Sequence, residues 1–268
     1  MKANKIIALL LAVLMLAAAF TGCSANKTAD GDLLEQIKER GSIIVAMEGT
    51  WAPWTYHDEN DNLVGYDVEV AQNIADKLGV SVEFVEGEFD GLLAGVDDGR
   101  YDIMVNGVGI TPDREKKYNF STPYAYNRTA VLVRGDYDEI NSMEDLSGKA
   151  TANTITSTYA EIAEKYGATV TGVDDLNQTI ELLLSGRIDA TLNAEVVFAD
   201  YMKVHPEANI KIVAYADDME RVAIPVRKGA ETESLLAAIN DALAELAADG
   251  TLSALSEKYF STDISSND

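Results

Sequence analysis

Cysteine, histidine and basic residues are scarce in this 268-residue sequence. The single cysteine, Cys23, cannot form a disulfide within the chain, and the two histidines, His57 and His205, lack neighbouring ligand patterns, so no metal site is expected. The 21 Lys and Arg are outnumbered by 45 Asp and Glu, which gives a formal net charge of −24. Because so acidic a chain repels phosphates, we expect small molecules or other proteins as partners, and no nucleic acid.

Several motifs of catalysis are missing too. The sequence contains no Gly-x-Ser-x-Gly elbow, phosphate-binding loop or His-Glu-x-x-His, so common hydrolase and nucleotide chemistry lacks its residues, and no cofactor is expected. The segment 58–69 matches a calcium-binding EF-hand loop at several positions, but Leu63 stands where that loop requires glycine. A polar hairpin turn is the better interpretation of this segment.

The one long apolar run lies near the N terminus, from Ile6 to Phe20, after the basic residues Lys2 and Lys5. As a helix it would reach roughly 22 Å, which is short of the roughly 30 Å hydrocarbon core of a bilayer. It therefore predicts an export signal. The following Cys23 resembles the lipobox cysteine that becomes an acylated N terminus. We predict a lipoprotein signal peptide over 1–22 and lipidation of this cysteine; a plain secretory signal is the alternative.

A pattern that occurs twice predicts two similar lobes. Residues 99–106 and 186–193 both read Gly-Arg-x-Asp-x-x-x-Asn, and each copy follows an apolar pattern of helical spacing. The glycines suit the left-handed position that ends a helix. Each copy then continues as a short strand that ends at Asn106 or Asn193. Ligands bind at the carboxyl ends of strands in open α/β sheets, so both asparagines are candidate site residues.

The rest of the sequence alternates between apolar strands and amphipathic helices. Ile43–Ala46 and Val82–Val85 are predicted strands, and between them a helix with Asp67 as its N-cap is predicted to end at Gly79. This alternation predicts a mainly parallel sheet in each lobe.

An arginine in an unusual position marks the candidate binding segment. Thr111 is a suitable N-cap, which places Arg114 in the first turn of a helix, where the dipole disfavours a cation by a few tenths to ~1 kcal/mol. An anion in front of the guanidinium would explain this placement, since its fork matches a carboxylate. Gly107 and Gly109 would let backbone N–H groups approach the same anion. The alternative is a pair with a neighbouring acid such as Asp113.

Three segments carry long motifs in a fixed order: residues 49–54 read Gly-Thr-Trp-Ala-Pro-Trp, residues 65–69 read Gly-Tyr-Asp-Val-Glu, and residues 110–124 begin Ile-Thr-Pro-Asp-Arg. Together they resemble the extracellular solute-binding proteins that serve polar amino-acid ABC importers. The resemblance extends from about Ser42 to Phe260. It implies a periplasmic-binding-protein-like α/β fold, in which two α/β lobes with mainly parallel sheets are joined by two crossing strands around a ligand cleft.

The resemblance also implies the domain boundaries. Lobe 1 is expected at 42–126 plus 223–268, lobe 2 at 127–222, and an N-terminal tether with a short helix at 23–41.

The same resemblance assigns roles to site residues. Arg114 is expected to bind the ligand α-carboxylate, with help from the backbone at Gly107 and Gly109 and from Thr111. Trp51 is expected to face the ligand side chain, where an indole offers apolar area and a cation–π surface; a core tryptophan is the alternative. The other lining residues implied are Glu48 and Asn106 on the first wall, and Ser157 and Thr158 as carboxylate donors from lobe 2.

One departure from the family concerns the ligand ammonium. Where the family has an Asp after the second strand, this sequence has Ala194, preceded by Asn193 and followed by Glu195. We expect Glu195 to take the ammonium, since a charge removed from water needs a charged partner. Alternatively, Glu195 is solvated, the ammonium site is lost, and the ligand is not an α-amino acid.

The resemblance implies a monomeric binding lipoprotein, not an enzyme, that is anchored outside the cytoplasm, captures a polar amino acid and presents it to the membrane subunits of an ABC permease. Residues 158–168 resemble the cystine-binding branch, so cystine or a related amino acid is the expected ligand. A dehydratase enzyme on the same fold and a ligand-sensing module are the alternatives, because fold does not fix function.

Overall fold

The computed structural model describes residues 31–267. The predicted signal peptide 1–22 and the predicted lipidation site Cys23 lie outside the described residues. Across residues 31–267, no helix combines the length and apolar character that a membrane crossing needs.

A parallel sheet forms the first part of the described chain. Its elements are α1 (Leu33–Arg40), β1 (Ser42–Met47), β2 (Thr50–Trp51), β3 (Thr55–His57), β4 (Leu63–Val64), α2 (Tyr66–Leu78), β5 (Ser81–Glu86), α3 (Phe89–Asp97) and β6 (Ile103–Met104). The sheet has the order β5-β1-β6 with both pairings parallel. Strands β2, β3 and β4 form a separate antiparallel sheet beside it.

A larger, mixed sheet follows. The elements between residues 112 and 222 are, in chain order, α4 (Pro112–Lys117), β7 (Tyr118–Phe120), β8 (Ala125–Arg134), β9 (Ala150–Asn153), α5 (Thr158–Lys165), β10 (Thr169–Gly172), α6 (Leu176–Leu184), β11 (Ala190–Ala194), α7 (Glu195–Val204) and β12 (Ile210–Val222). All of these strands except β7 belong to the mixed sheet. The order is β10-β9-β11-β8-β12, in which β9 pairs in parallel and β8 pairs antiparallel with both neighbours. This sheet is therefore less parallel than predicted, because the two long strands β8 and β12 join its edge.

The next elements are β13 (Pro225–Arg227), α8 (Glu233–Ala248) and α9 (Thr251–Phe260), which lie beside the elements of the first sheet. Strand β13 pairs with β7, and α8 and α9 pack on α2. We call residues 32–126 and 223–267 the first region and residues 127–222 the second region. From Asp32 onward the contacts join both regions in one compact unit, and the lobe boundaries stay a prediction.

The duplicated motif has the same conformation in both regions. Gly99 and Gly186 follow helices α3 and α6 with φ of 71° and 72°, the left-handed geometry expected of them. Asp102 accepts a hydrogen bond from an N–H of β1 at 2.7 Å, and Asp189 accepts one from an N–H of β9 at 2.9 Å. In each copy the aspartate thus ties the strand that follows the turn to its parallel neighbour.

The start of α2 differs from the prediction. Gly65, not Asp67, is the N-cap, and its φ of 137° together with the close approach of the Trp54 carbonyl leaves no room for a side chain. Asp67 lies in the first turn and is fully buried. The hairpin between β3 and β4 is the polar turn predicted for it, since Asp58 accepts from the N–H groups of Asn60 and Asn62.

An aromatic cluster forms the core of the first region below the end of β1. Trp54 is fully buried and stacks on Trp51 with a ring separation of 5.4 Å. Its other neighbours are Tyr66, edge-on at 5.6 Å, and Phe260 at 4.9 Å. Because Trp54 is fixed on three sides, it holds the ring of Trp51 in one orientation.

The repeated turn glycines can be tested by substitution. Gly99→Ala and Gly186→Ala should each lower the free energy of unfolding by about 1–2 kcal/mol, because an added Cβ meets no close atom but disfavours positive φ. Gly91→Ala is the matched control: Gly91 lies exposed within α3 with open space around it, and alanine there should stabilise by about 0.5–1 kcal/mol. Urea denaturation measures all three; equal effects at the three sites would contradict this account.

Candidate functional site

A cavity that is partly open to solvent is lined by both regions. It lies at the carboxyl ends of β1, β6, β9 and β11, as expected for an α/β sheet. The structure brings eight predicted site residues to its wall: Glu48, Trp51, Asn106, Gly107, Arg114, Ser157, Thr158 and Asn193. The remaining three, Gly109, Thr111 and Glu195, do not line it.

Arg114 is a buried cation that faces this cavity, with only 9% of its surface exposed. Nη1 donates to the Gly109 carbonyl at 2.8 Å, and Nη2 donates to the Thr156 carbonyl of the second region at 3.0 Å. Within residues 31–267 no carboxylate is hydrogen-bonded to it, and the nearby Asp113 pairs with Lys116 instead. Burial lowers the pKa of the arginine, so the site favours an added anion.

Two predicted residues support Arg114 rather than line the cavity. The Thr111 hydroxyl accepts from the Arg114 N–H at 3.2 Å, which makes it the predicted N-cap of α4. Gly109 contributes its carbonyl to the guanidinium, and a side chain there would overlap the carboxylate of Glu220. Gly109 is therefore glycine because an acid approaches its Cα; it does not line the cavity, and its expected role as an anion donor stays a prediction.

The start of α5 supplies a second set of donors. Ser157 caps this helix by accepting from the Ala160 N–H at 3.1 Å, and the Thr158 hydroxyl donates to Glu220 at 2.6 Å. The Thr158 hydroxyl thus donates within the protein, whereas the Ser157 hydroxyl accepts in its contact and keeps its own proton to donate. The first N–H groups of a helix have no partner inside it, and those of α5 lie at the cavity wall beside Arg114.

Asn106 fixes Glu48 at the end of β1. Its Oδ1 accepts from the Glu48 N–H at 2.8 Å, and its Nδ2 donates to the Glu48 carboxylate at 2.6 Å. Burial, with smaller contributions from the negative charges of Asp175 and Asp90, raises the pKa of Glu48 to about 7, while the Asn106 bond opposes the shift. The carboxyl is therefore poised to ionise when a cation arrives.

The N–H of Gly107 is not available to a ligand, which corrects the expectation for this residue. It donates to Asp67 at 2.5 Å, and the other carboxylate oxygen of Asp67 accepts from the Tyr124 hydroxyl at 2.7 Å. Burial raises the pKa of Asp67 to about 7. Gly107 has φ of 56°, and a side chain there would overlap the ring of Trp51. Glycine is needed at 107 for Trp51 to stand at the cavity wall.

The expectation for Glu195 is wrong. Its carboxylate accepts from Nε and Nη2 of Arg128 at 3.1 and 3.0 Å and lines a different cavity, beside Phe260. Helix α7 begins at Glu195, so the residue after Ala194 turns away from the strand end, and Arg128 on the neighbouring strand β8 takes its charge. Ala194 itself is fully buried.

Sequence reasoning missed several residues of the site. Glu220 on β12 accepts from Thr158 and, at 3.4 Å each, from Tyr159 and Asn127; burial raises its pKa. The acidic run in which Glu220 stands is typical of an exposed surface, so only the tertiary structure reveals that this residue is buried next to the site. Glu220 does not itself line the cavity; the missed residues that do include Phe89, Asn153, Asp175 and Thr179. For Asn153 the sequence did contain a signal, because this asparagine, like Asn106, lies at the carboxyl end of a strand.

No group of three or more His, Cys, Asp or Glu in residues 31–267 is placed to hold a metal ion.

The family "Bacterial extracellular solute-binding proteins, family 3" matches residues 43–262 of this chain. The L-cystine-binding protein TcyA of Bacillus subtilis is 39% identical over 243 residues, which cover 90% of each protein. An ancestral arginine-binding protein bound to arginine has a similar structure, with a TM-score of 0.77, 38% identity, and coverage of 82% of this chain and 99% of that one.

The L-cystine solute receptor of Neisseria gonorrhoeae in the unliganded open conformation is also similar. It is 41% identical, covers 88% of this chain and 100% of its own, and has a TM-score of 0.60. The open structure thus superposes less well than the arginine-bound one, although its sequence is slightly more similar.

The raised pKa of Glu48 predicts a pH effect on stability. The unfolded chain loses this proton near pH 4.5, whereas the folded protein keeps it until about pH 7, so ionisation costs stability as the pH rises between these values. Relative to Glu48→Gln, the wild type should lose up to about 3 kcal/mol of unfolding free energy over that range. Urea titrations at several pH values measure the difference; parallel curves for the two proteins would refute a raised pKa.

Proposed function

Because the chain belongs to family 3 of the bacterial extracellular solute-binding proteins, we propose that it captures a polar amino acid outside the cytoplasm and delivers it to an ABC permease. The observation that carries this proposal is the position of Arg114. A buried guanidinium to which no carboxylate of the described residues is hydrogen-bonded stands at a cavity shared by two regions. A ligand carboxylate there would accept two parallel bonds and meet the N-terminal N–H groups of α5.

We propose L-cystine as the ligand. The relatives from B. subtilis and N. gonorrhoeae are named for cystine, and residues 158–168 resemble that branch. L-Arginine is the second candidate, because Glu48 and Asp175 place two carboxylates on the cavity wall and Trp51 offers a ring face, which together suit a cationic side chain. The similar arginine-bound structure supports this second candidate.

Capture would proceed by closure of the two regions on the ligand. Arg114 reaches the Thr156 carbonyl, and the Thr156 hydroxyl donates to Asp90, so the regions already touch across the cavity. A ligand that contacts both regions binds the closed arrangement better than the open one and shifts the population towards it. The better superposition on an arginine-bound relative than on an open one supports a closed arrangement here.

The protein is further proposed to act as a monomer anchored by lipid at Cys23, since its sequence resembles a lipobox and several acyl chains anchor a protein durably. The dehydratase and sensor alternatives have less support, because the relatives described above are named as binding proteins or receptors.

Ligand binding can be measured by thermal shift and calorimetry. L-Cystine at 100 times its Kd should add about 2.7 kcal/mol of stability, without being consumed. Arg114→Lys keeps the charge but loses the planar fork, so affinity should fall about 10- to 100-fold. Undiminished binding by this variant would remove Arg114 from the site, and consumption of the added compound would favour an enzyme.

Glu195→Gln is the matched control for that experiment. Because Glu195 pairs with Arg128 outside the cavity, the variant should bind L-cystine within about twofold of the wild type. A loss as large as that of Arg114→Lys would return Glu195 to the ligand site.

The lipid anchor predicts a change of location. Cys23→Ser removes the acceptor of the acyl chains, so the protein should move from the membrane fraction to the soluble fraction of producing cells. Immunoblots of fractionated cells measure this, with the wild type as reference. A variant that loses residues 1–22, as its mass on the immunoblot would show, and still stays in the membrane fraction would show that lipid on Cys23 is not the anchor.

A further inference from the structure

Glu220 is an acid that contacts both regions. It belongs to β12, which ends at Val222, and its Oε1 accepts from the Thr158 hydroxyl at the start of α5 at 2.6 Å. The same oxygen approaches Gly109 of the first region so closely that a side chain at 109 would overlap it. A hydroxyl–oxygen distance this short is typical of an ionised carboxylate. Glu220 thus places a negative charge where the two regions meet beside the cavity.

The second carboxylate oxygen of Glu220 has weaker donors. The Tyr159 hydroxyl and Asn127 Nδ2 both lie 3.4 Å from it, which is longer than a well-formed hydrogen bond. Neither donor carries a charge. These contacts therefore fix the position of the carboxylate without neutralising it.

Arg114 is the cation that acts on this carboxylate. Burial lowers the pKa of the guanidinium, and among the negative charges that oppose this shift Glu220 ranks ahead of Glu161. Burial raises the pKa of Glu220, and the Thr158 bond and then the charge of Arg114 oppose that shift. Part of the charge of Arg114 is thus already compensated from the side of β12, although the two groups are not hydrogen-bonded.

A ligand carboxylate at Arg114 would be a second anion beside one cation. Glu220 does not line the cavity, so it acts on the ligand through space and through Arg114. Like charges that share a site repel each other, and partly buried charges are screened little by salt. The carboxylate is therefore bound less tightly than the guanidinium and the N terminus of α5 alone would allow.

We propose that Glu220 is a positioning residue that competes with the ligand carboxylate for the charge of Arg114, and in this way lowers the affinity so that the ligand is released when the regions separate. This inference rests on the proposed function, because a protein that delivers a ligand must also give it up. Glu220 holds the start of α5 through Thr158 and limits the positive potential of Arg114, without touching the ligand.

The substitution Glu220→Gln removes the charge and keeps the shape. The new side chain can still accept from Thr158, and its amide can donate to the Tyr159 hydroxyl or to Asn127 Oδ1, which is buried without a hydrogen-bond partner in residues 31–267. In calorimetry at about pH 8 the variant should bind L-cystine, or L-arginine if only that binds, about 3- to 10-fold more tightly than the wild type. Loss of a merely structural contact would weaken binding instead.

Glu161→Gln is the matched control. Glu161 also acts on the charge of Arg114, but its side chain is exposed and screened by solvent. Its removal should change the affinity less than about twofold.

The pH dependence separates charge from shape. Around Glu220, Arg114 stays charged, Tyr159 stays neutral because burial raises its pKa, and Thr158 and Asn127 do not titrate. As the pH falls from about 8 to about 5, the wild type begins to protonate Glu220 and loses the repulsion, so the advantage of Glu220→Gln should shrink. Glu48 and Glu161 titrate in both proteins, so their effects cancel in the ratio of the two affinities.

A second measurement does not require substitution of Glu220 and decides the matter if that variant fails to fold. In a Glu48→Gln background, where the cavity acid can no longer release a proton, calorimetry in two buffers of different ionisation enthalpy gives the protons exchanged on binding. At about pH 5.5 a fraction of a proton should be taken up, because the ligand carboxylate raises the pKa of Glu220. Proton release or no exchange would overturn the inference.

The outcomes separate this inference from the proposed function. If the wild type binds the amino acid and Glu220→Gln binds it equally or more weakly at about pH 8, the inference is overturned and the function stands. A gain that is the same at both pH values would reflect cavity shape and would overturn it too. A wild type that binds neither L-cystine nor L-arginine overturns the proposed function and, with it, this inference.

Discussion

The site depends on a buried guanidinium to which no carboxylate of residues 31–267 is hydrogen-bonded. Arg114 is held by two carbonyl oxygens, from Gly109 in its own region and Thr156 in the other. Carbonyls orient the fork but do not neutralise its charge, and the nearby charges of Glu220 and Glu161 offset the cost of burying it only in part. The desolvation free energy of the guanidinium is therefore not fully recovered on folding, and a bound carboxylate would recover more of it. The contact with Thr156 also makes Arg114 a bridge between the two regions.

Around this arginine, buried polar groups position the apolar wall. Asp67 fixes the peptide of Gly107 and the hydroxyl of Tyr124, and Gly107 in turn gives Trp51 room to stand at the cavity. Trp54 stacks behind Trp51 and prevents its ring from rotating away. None of these partners needs to touch the ligand, yet each restricts where the ligand can lie.

Local chemistry in the sequence was enough to predict much of this arrangement. The repeat predicted two strand ends with asparagines, and the first-turn position of Arg114 predicted a residue that faces an anion; the structure places all three at one cavity. The errors concern side-chain direction and partners at long range. Glu195 was assigned to the ligand ammonium because it follows Ala194 in the sequence, but α7 begins at this residue and directs its side chain away from the cavity. The N–H of Gly107 was assigned to the ligand anion, but it donates to Asp67, about 40 residues earlier. Glu220 was missed because its hydrogen-bond partners come from two other segments, α5 and β8.

The two acids of the cavity wall belong to opposite regions: Glu48 to the first and Asp175 to the second. Their like charges oppose each other while nothing positive separates them, and the charge of Asp175 adds to the burial that raises the pKa of Glu48. This repulsion makes the approach of the two regions energetically unfavourable without a cation, and a cation bound between the two acids removes the penalty. The presence of a ligand therefore decides whether the closed form is populated. A membrane translocator that recognises only this closed form would hydrolyse little ATP for binding proteins without ligand.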